Sequence, residues 1–129
     1  MPNSIPPSMI PETPTPVPVI MAALEKIAPL QGLSIEDRDW LASHGQEIRV
    51  KAGEILFEEG DPADQLMLIL KGEVHVRRNR NAPMALFIGR SGQMTGLLPF
   101  SRMISWGGQG YAAHDVWAIV IHKSLFPEM

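Results

Sequence analysis

Residues able to bind anions or planar rings are concentrated in one stretch of the C-terminal third. Arg102 is the cation of the segment Gly-Leu-Leu-Pro-Phe-Ser-Arg, residues 96–102, and Ser101 precedes it. A guanidinium pairs with a phosphate or carboxylate through two parallel hydrogen bonds, so Arg102 is a candidate anion ligand. The alternative is an exposed arginine that caps a helix or pairs with a surface carboxylate. The same two interpretations apply to Ser101.

Trp106 is the second candidate, because it lies among glycines in the run WGGQGYA. Glycines at 107, 108 and 110 predict a flexible loop with an aromatic tip. A tryptophan at such a tip stacks on a planar ligand ring. The alternative is that it fills the pocket or packs in the core, as large aromatic side chains usually do.

Metal binding and nucleophilic catalysis find no support in the residue spacing. The four histidines form no His-x-His or His-x₃-His pair: His44, His75, His114 and His122. The chain also contains no cysteine and no Gly-x-Ser-x-Gly segment, which excludes thiolate chemistry and the serine elbow of hydrolases. We therefore predict no enzymatic activity, no metal and no resident cofactor, with a cyclic nucleotide left open as a ligand.

Two helices are predicted before the first strand. The run IMAALEKIA, residues 20–28, has apolar residues at helical spacing, and Pro29 ends it. Ser34 is a good N-cap with Asp37 three positions later, and Gly45 stops this second helix. A third helix is predicted to begin at Ser124, close to the last residue, so we expect the chain to be either a piece of a longer protein or a minimal domain.

Short extended segments dominate the rest of the chain, each followed by a turn signal. They are EIRV (47–50), EILF (54–57), LMLIL (66–70), VHV (74–76), ALFI (85–88) and DVWAIVI (115–121). Short strands at regular spacing are typical of a sandwich, barrel or roll. In the fourth segment, His75 alternates with Val74 and Val76, which predicts that it faces solvent on the opposite side.

Composition and charge argue against several functions and locations. The chain has 129 residues and a net charge of −3, and its basic residues cluster only at Arg77, Arg78 and Arg80; that is too few for a nucleic-acid surface. No apolar run is long enough to span a membrane and no secretory signal is present, so we expect a cytoplasmic protein. Seven prolines in residues 1–18 predict a disordered tail over 1–19, with the folded domain at 20–129.

The stretch GEILFEEGDPADQLMLILKGEVHV, residues 53–76, resembles the opening of cyclic nucleotide-binding domains of the catabolite activator type. The residues that carry the resemblance are Gly53, Gly60, Asp61, Asp64, Gly72 and Val74, and it continues through a glycine cluster at 89–96 and Ala-His-Asp-Val at 113–116. It covers roughly residues 33–129. The resemblance implies a mainly β fold, a jelly roll or double-stranded β-helix of the β-roll type with short flanking helices.

The resemblance also implies a phosphate-binding cassette, in which a Gly-Glu pair opens a helical turn and a later arginine pairs with the phosphate. Aligned on this pattern, the glycine is Gly96, but Leu97 occupies the glutamate position and Leu98 follows. The arginine position falls near Gly107, where there is no cation. We therefore expect cyclic AMP and cyclic GMP to bind weakly or not at all. The candidate ligand residues are Gly96, Leu97, Leu98, Ser101, Arg102 and Trp106.

The preferred hypothesis is a regulatory sensor of a bacterial signalling protein, similar to degenerate rolls that precede sensor histidine kinases. Its terminal helices would bias a downstream output domain or protein partner, with dimerisation through these helices left open. One alternative is a true nucleotide-binding regulatory domain, of a transcription regulator or an ion-channel-type protein, that holds a small anionic ligand through Arg102. A second alternative is a ligand-free interaction scaffold whose pocket is filled from within.

Overall fold

A computed structural model of the chain describes residues 7–27, 30, 32–78, 87–96 and 106–128. Within these ranges, eight strands form two antiparallel four-stranded sheets. The strands are β1 (Gln46–Val50), β2 (Ile55–Phe57), β3 (Gln65–Lys71), β4 (Glu73–Arg77), β5 (Phe87–Arg90), β6 (Gln93–Gly96), β7 (Gln109–Ala112) and β8 (Val116–His122). One sheet has the order β1-β8-β3-β6 and the other β2-β7-β4-β5. The predicted mainly β roll is confirmed.

Alternation along the strands divides the apolar residues into two clusters. The inner cluster lies between the sheets and includes Ile48, Val50, Met67, Ile69, Val74, Ala112, Ala118 and Val120. The outer cluster joins the opposite face of the first sheet to the helices and includes Ile20, Leu24, Ile27, Leu41, Leu66, Leu68, Ile119 and Ile121. Strands β3 and β8 contribute to both clusters, because successive side chains point to opposite faces of a sheet. They are therefore apolar along most of their length.

The two helices pack on one face of the roll. Helix α2 (Ile35–His44) begins after Ser34, whose Oγ accepts a hydrogen bond from the Asp37 backbone N–H at 3.1 Å, and ends at Gly45. This confirms the predicted cap. Helix α1 (Val17–Leu24) begins three residues earlier than predicted, because proline is tolerated in the first helical turn, where its missing N–H needs no partner.

The described part of the predicted proline-rich tail contacts the roll, which the sequence did not lead us to expect. A short 3-10 turn at Pro7–Met9 places Met9 in the inner cluster with 4% of its surface exposed. Thr15 hydrogen-bonds to Glu47 on β1 through both its backbone and its side chain. Long-range contacts of this kind leave no periodic signal in sequence. The boundary between a tail at 1–19 and a domain at 20–129 stays a prediction.

Three further differences concern the second half of the chain. Strands β6 and β7 were not predicted, since their residues include glycine and polar side chains rather than an apolar run. Residues 109–112, expected in a flexible loop, are therefore part of a sheet. The predicted helix at Ser124 is a 3-10 helix over Lys123–Glu128. In the described ranges, no helix is both long and apolar enough to cross a membrane.

Candidate functional site

The two ends of the candidate cassette are fixed to the same part of the roll. Gly96 is the last residue of β6 and pairs with Leu66 on β3. At the other end, the Trp106 backbone N–H donates to the carbonyl of Asp61, and its carbonyl accepts from the Gly60 N–H, both at 2.9 Å. The partners of both ends lie within residues 60–66, which comprise the turn before β3 and the start of that strand. Four of the six candidates, Leu97, Leu98, Ser101 and Arg102, lie outside the described residues.

Trp106 is packed into the protein. Its side chain is 6% exposed and stacks on Phe57, with ring centroids 4.3 Å apart and planes at 24°. Ala63 completes this small cluster. The geometry matches the alternative of ordinary packing, because a ring already stacked on Phe57 has one face covered. A direct role of Trp106 in ligand binding stays a prediction.

The glycines after Trp106 allow close packing rather than flexibility. A Cβ on Gly110 would overlap the ring of Phe57, and one on Gly108 would lie 2.8 Å from the carbonyl oxygen of Arg77. Gly107, by contrast, has open space at this position. The flexible loop predicted from these residues is therefore wrong for Gly108 and Gly110, whose missing side chains let β7 fit between β2 and β4.

No cation is present from residue 106 to residue 112, all of which are described. The neighbouring strand β4 carries Arg77, whose guanidinium carbon lies 4.0 Å from the centre of the Tyr111 ring. Its Nε donates to Gln109 Oε1 at 2.8 Å. Because Val74 of β4 belongs to the inner cluster, strand alternation places Arg77 on the outer face of this sheet. Arg77 therefore lies on the side of this sheet that faces away from the inner cluster.

His75 lies on the same outer face, opposite Val74, in agreement with the alternation in the sequence. It is half-buried rather than fully solvated: one ring nitrogen contacts Glu73 Oε1 at 2.9 Å and the other lies 3.5 Å from the Tyr111 hydroxyl. The hydrogen bond from His75 lowers the pKa of Glu73, and the nearby charges of Arg90 and His114 lower it further. Glu73 is therefore a stable carboxylate at neutral pH.

Sequence reasoning missed a buried carboxylate on the first strand. Glu47 is 6% exposed and accepts hydrogen bonds from the Thr15 N–H at 2.8 Å, the Thr15 hydroxyl at 2.5 Å and the Trp117 indole N–H at 2.7 Å. Arg49 lies 3.8 Å away. Burial alone would raise the pKa of Glu47, but these hydrogen bonds and the arginine outweigh it and lower the pKa. Glu47 thus joins the N-terminal segment to β1 and β8.

Metal ligands do not converge in the described ranges, where no group of three His, Asp or Glu side chains could hold an ion. Two His–carboxylate pairs are present in these ranges, His75 with Glu73 at 2.9 Å and His122 with Asp64 at 3.8 Å. The site must therefore be considered in terms of hydrogen bonding and packing.

Comparison with known proteins identifies the family that the chain resembles. The model of the cyclic nucleotide-binding domain matches residues 47–129. A comparison with curated proteins gives no significant match.

Solved structures share the fold at low sequence identity. A regulatory subunit of a cAMP-independent protein kinase A from Trypanosoma brucei superposes with a TM-score of 0.72 at 20% identity, covering 83% of this chain and 39% of that one. A cyclic nucleotide-binding domain from Methylobacillus flagellatus gives 0.67 at 24% identity, covering 88% and 67%. The sensor domain of the transcriptional regulator DNR from Pseudomonas aeruginosa gives 0.72 at 14% identity, covering 87% and 77%. The chain thus spans about two fifths of the kinase regulatory subunit.

Proposed function

Because this chain belongs to the cyclic nucleotide-binding domain family, we propose that it is a regulatory sensor domain that does not bind cyclic AMP or cyclic GMP through the usual contacts. The observation that carries the proposal is the pair of substitutions in the cassette. Leu97 stands where the family has the glutamate that accepts from the ribose, and the arginine position near Gly107 has no cation.

The energetic consequence of these substitutions is large. Removing one partner of a buried, hydrogen-bonded charge pair weakens binding by about 2–5 kcal/mol. A micromolar ligand is bound by about 8 kcal/mol, so the loss of a single such contact moves the dissociation constant towards millimolar. The loss of both removes the ribose contact and the charged phosphate contact that the family pattern implies.

The descriptions of similar proteins support a regulatory role, and one of them supports a role without the usual ligand. The family consists of regulatory ligand-binding domains rather than catalytic ones, and the similar Trypanosoma brucei subunit is described as cAMP-independent. The similar DNR domain is the sensor of a transcriptional regulator. We extend this role to the present chain, as a cytoplasmic module without enzymatic activity that acts on a linked output domain or protein partner.

In this proposal, the elements that transmit the signal are the terminal helical segments. Helix α1 packs through Ile20 and Leu24 on the outer cluster, and Leu125 of the C-terminal 3-10 helix packs against the same cluster. A rearrangement of the first sheet would therefore reach both segments. A bacterial sensor kinase is the output that we favour, with a homodimer formed through these segments.

The second candidate is a ligand-free interaction scaffold, and it is favoured by the packing of Trp106 against Phe57. The alternative that retains nucleotide binding requires Arg102 to take over the anion. If Arg102 holds the anion, the chain binds a nucleotide and Arg102→Ala abolishes the binding. If the chain is a scaffold, it binds no nucleotide.

The experiment that tests the proposal restores the two lost contacts. A variant with Leu97→Glu and Gly107→Arg is titrated with cyclic AMP and cyclic GMP by calorimetry, beside the wild type. The control, Leu97→Gln with Gly107→Gln, adds uncharged polar side chains at the same two positions. We expect the charged variant to bind at least about ten-fold more tightly than both the wild type and the control. Equal, micromolar binding in all three proteins would contradict the proposal.

A further inference from the structure

Three turns converge at the end of the roll opposite Gly96 and form a cleft of about 450 Å³. They are the β3–β4 turn at residues 71–73, the β5–β6 turn at 90–92 and the β7–β8 turn at 113–115. Strand β6 runs from this end to Gly96, so Gly96 lies roughly 10 Å from the β5–β6 turn at about 3.3 Å per residue. None of the described residues that line the cleft belongs to the predicted cassette.

Backbone contacts fix the walls of the cleft. The Ala113 N–H donates to the carbonyl of Glu73 at 3.0 Å, and the Gly92 N–H donates to the carbonyl of Ile69 at 2.8 Å. Gly72 has a φ of 95°, and a Cβ there would overlap the carbonyl oxygen of Asp115. Since all three turns are tied to the sheets or to one another, the cleft exists without any ligand-induced rearrangement.

The acidic side chains of the cleft are engaged by the protein itself. Glu73 contacts His75 through Oε1 at 2.9 Å, and its Oε2 lies 3.7 Å from Arg90 Nε. Asp115 Oδ1 accepts from the Ala52 backbone N–H at 2.9 Å, on the turn between β1 and β2. Both carboxylates therefore have their own partners.

The donors of the cleft are not engaged in the same way. Lys71, Arg90, Ser91 and His114 line it and are exposed. Among the described residues, no hydrogen-bond partner is found for the Lys71 ammonium, the His114 ring or the terminal nitrogens of Arg90. An ammonium, a guanidinium, an imidazole N–H and a hydroxyl around one space are the donor set of an oxyanion site.

We infer that this cleft binds a small organic anion, whose phosphate or carboxylate group contacts Lys71, Arg90 and His114. The volume lies within the range of small-molecule sites, about 300–1,000 Å³, and exceeds what inorganic phosphate alone would fill. Because the contacting groups are exposed to water, binding is weak, with a dissociation constant in the millimolar range. Glu73 of the cleft is the first residue of β4, and the next residue, Val74, belongs to the inner cluster.

The test is a titration of the isotope-labelled chain with glucose 6-phosphate and with citrate, followed by amide chemical shifts at constant ionic strength. We expect saturable shifts concentrated at residues 71–73, 90–92 and 113–115. Lys71→Gln and Arg90→Gln should each weaken binding about two- to five-fold. Lys51→Gln removes an exposed lysine outside the cleft and should leave binding unchanged.

A further variant separates a site from general attraction of anions. Glu73→Gln removes the carboxylate that competes for Arg90, so it should tighten the binding of both probes. Binding of one probe alone would show whether phosphate or carboxylate is the preferred group. Shifts that are absent or non-saturable, or that respond equally to Lys51→Gln and Lys71→Gln, would overturn the inference.

Discussion

Replacing Glu47 by glutamine should destabilise the protein strongly although the two side chains have almost the same shape. The carboxylate accepts hydrogen bonds from the Thr15 N–H, the Thr15 hydroxyl and the Trp117 indole N–H, between 2.5 and 2.8 Å. A glutamine has one acceptor oxygen, so its NH₂ group must face at least one of these donors. The loss of a hydrogen bond to a charged group is worth about 1.5–3 kcal/mol.

This magnitude is measurable by thermal and urea unfolding. For a domain of this size, we expect the melting temperature to fall by roughly 5–15 °C. Glu59→Gln is the matched control, because Glu59 is exposed on the turn before β3 and should change stability by no more than about 0.5 kcal/mol. Proteolysis should also become faster around Thr15, which Glu47 joins to β1.

A double-mutant cycle identifies the partner. Thr15→Val removes the hydroxyl that contacts Glu47, so its effect should be much smaller in the Glu47→Gln background, with a coupling of about 0.5–3 kcal/mol. Additive effects, or a Glu47→Gln variant as stable as Glu59→Gln, would refute the reasoning that this carboxylate anchors the N-terminal segment.

The remaining predictions concern packing and pH. Gly110→Ala should lower the free energy of unfolding by about 1–3 kcal/mol, because the new methyl group overlaps Phe57. Gly107→Ala meets open space and should leave stability unchanged. Thermal unfolding of the two variants measures the difference. Trp106→Ala should cost about 3–5 kcal/mol in urea unfolding, and a change below about 1 kcal/mol would show that its stack is not structural. The pKa of Glu47 is lowered in the folded state, so its contribution to the free energy of unfolding is complete above the unfolded pKa near 4.3. That contribution is lost as the pH falls through the folded pKa. The difference in melting temperature between wild type and Glu47→Gln should therefore shrink below about pH 4.

Local signals in the sequence were sufficient for much of the fold. The Ser34 cap depends on a side chain and an N–H three residues apart, and the apolar strands β3 and β8 stand out because both of their faces are buried. Strand β7 was missed since it is recognised only from its neighbours: Gly110 is needed to clear Phe57, a contact between residues distant in sequence.

For the candidate site too, the sequence predicted local motifs but not contacts between distant residues. The family pattern predicts that Gly96 starts the cassette, and the structure shows that this residue is the last of β6. The pattern did not indicate that Trp106 stacks on Phe57, nor that Glu47 and Thr15 pair across 32 positions of sequence. Both contacts depend on the closed roll, which brings together segments that composition and periodicity treat as independent.

The central claim is that the chain does not recognise cyclic nucleotides through the usual contacts, and thermal unfolding with and without millimolar cyclic AMP and cyclic GMP tests it most directly. A micromolar ligand at millimolar concentration would stabilise the protein by about 4 kcal/mol. We predict a shift too small to distinguish from that given by the same concentration of adenosine. A shift of many degrees with either cyclic nucleotide, abolished by Arg102→Ala, would contradict the account and assign phosphate binding to Arg102.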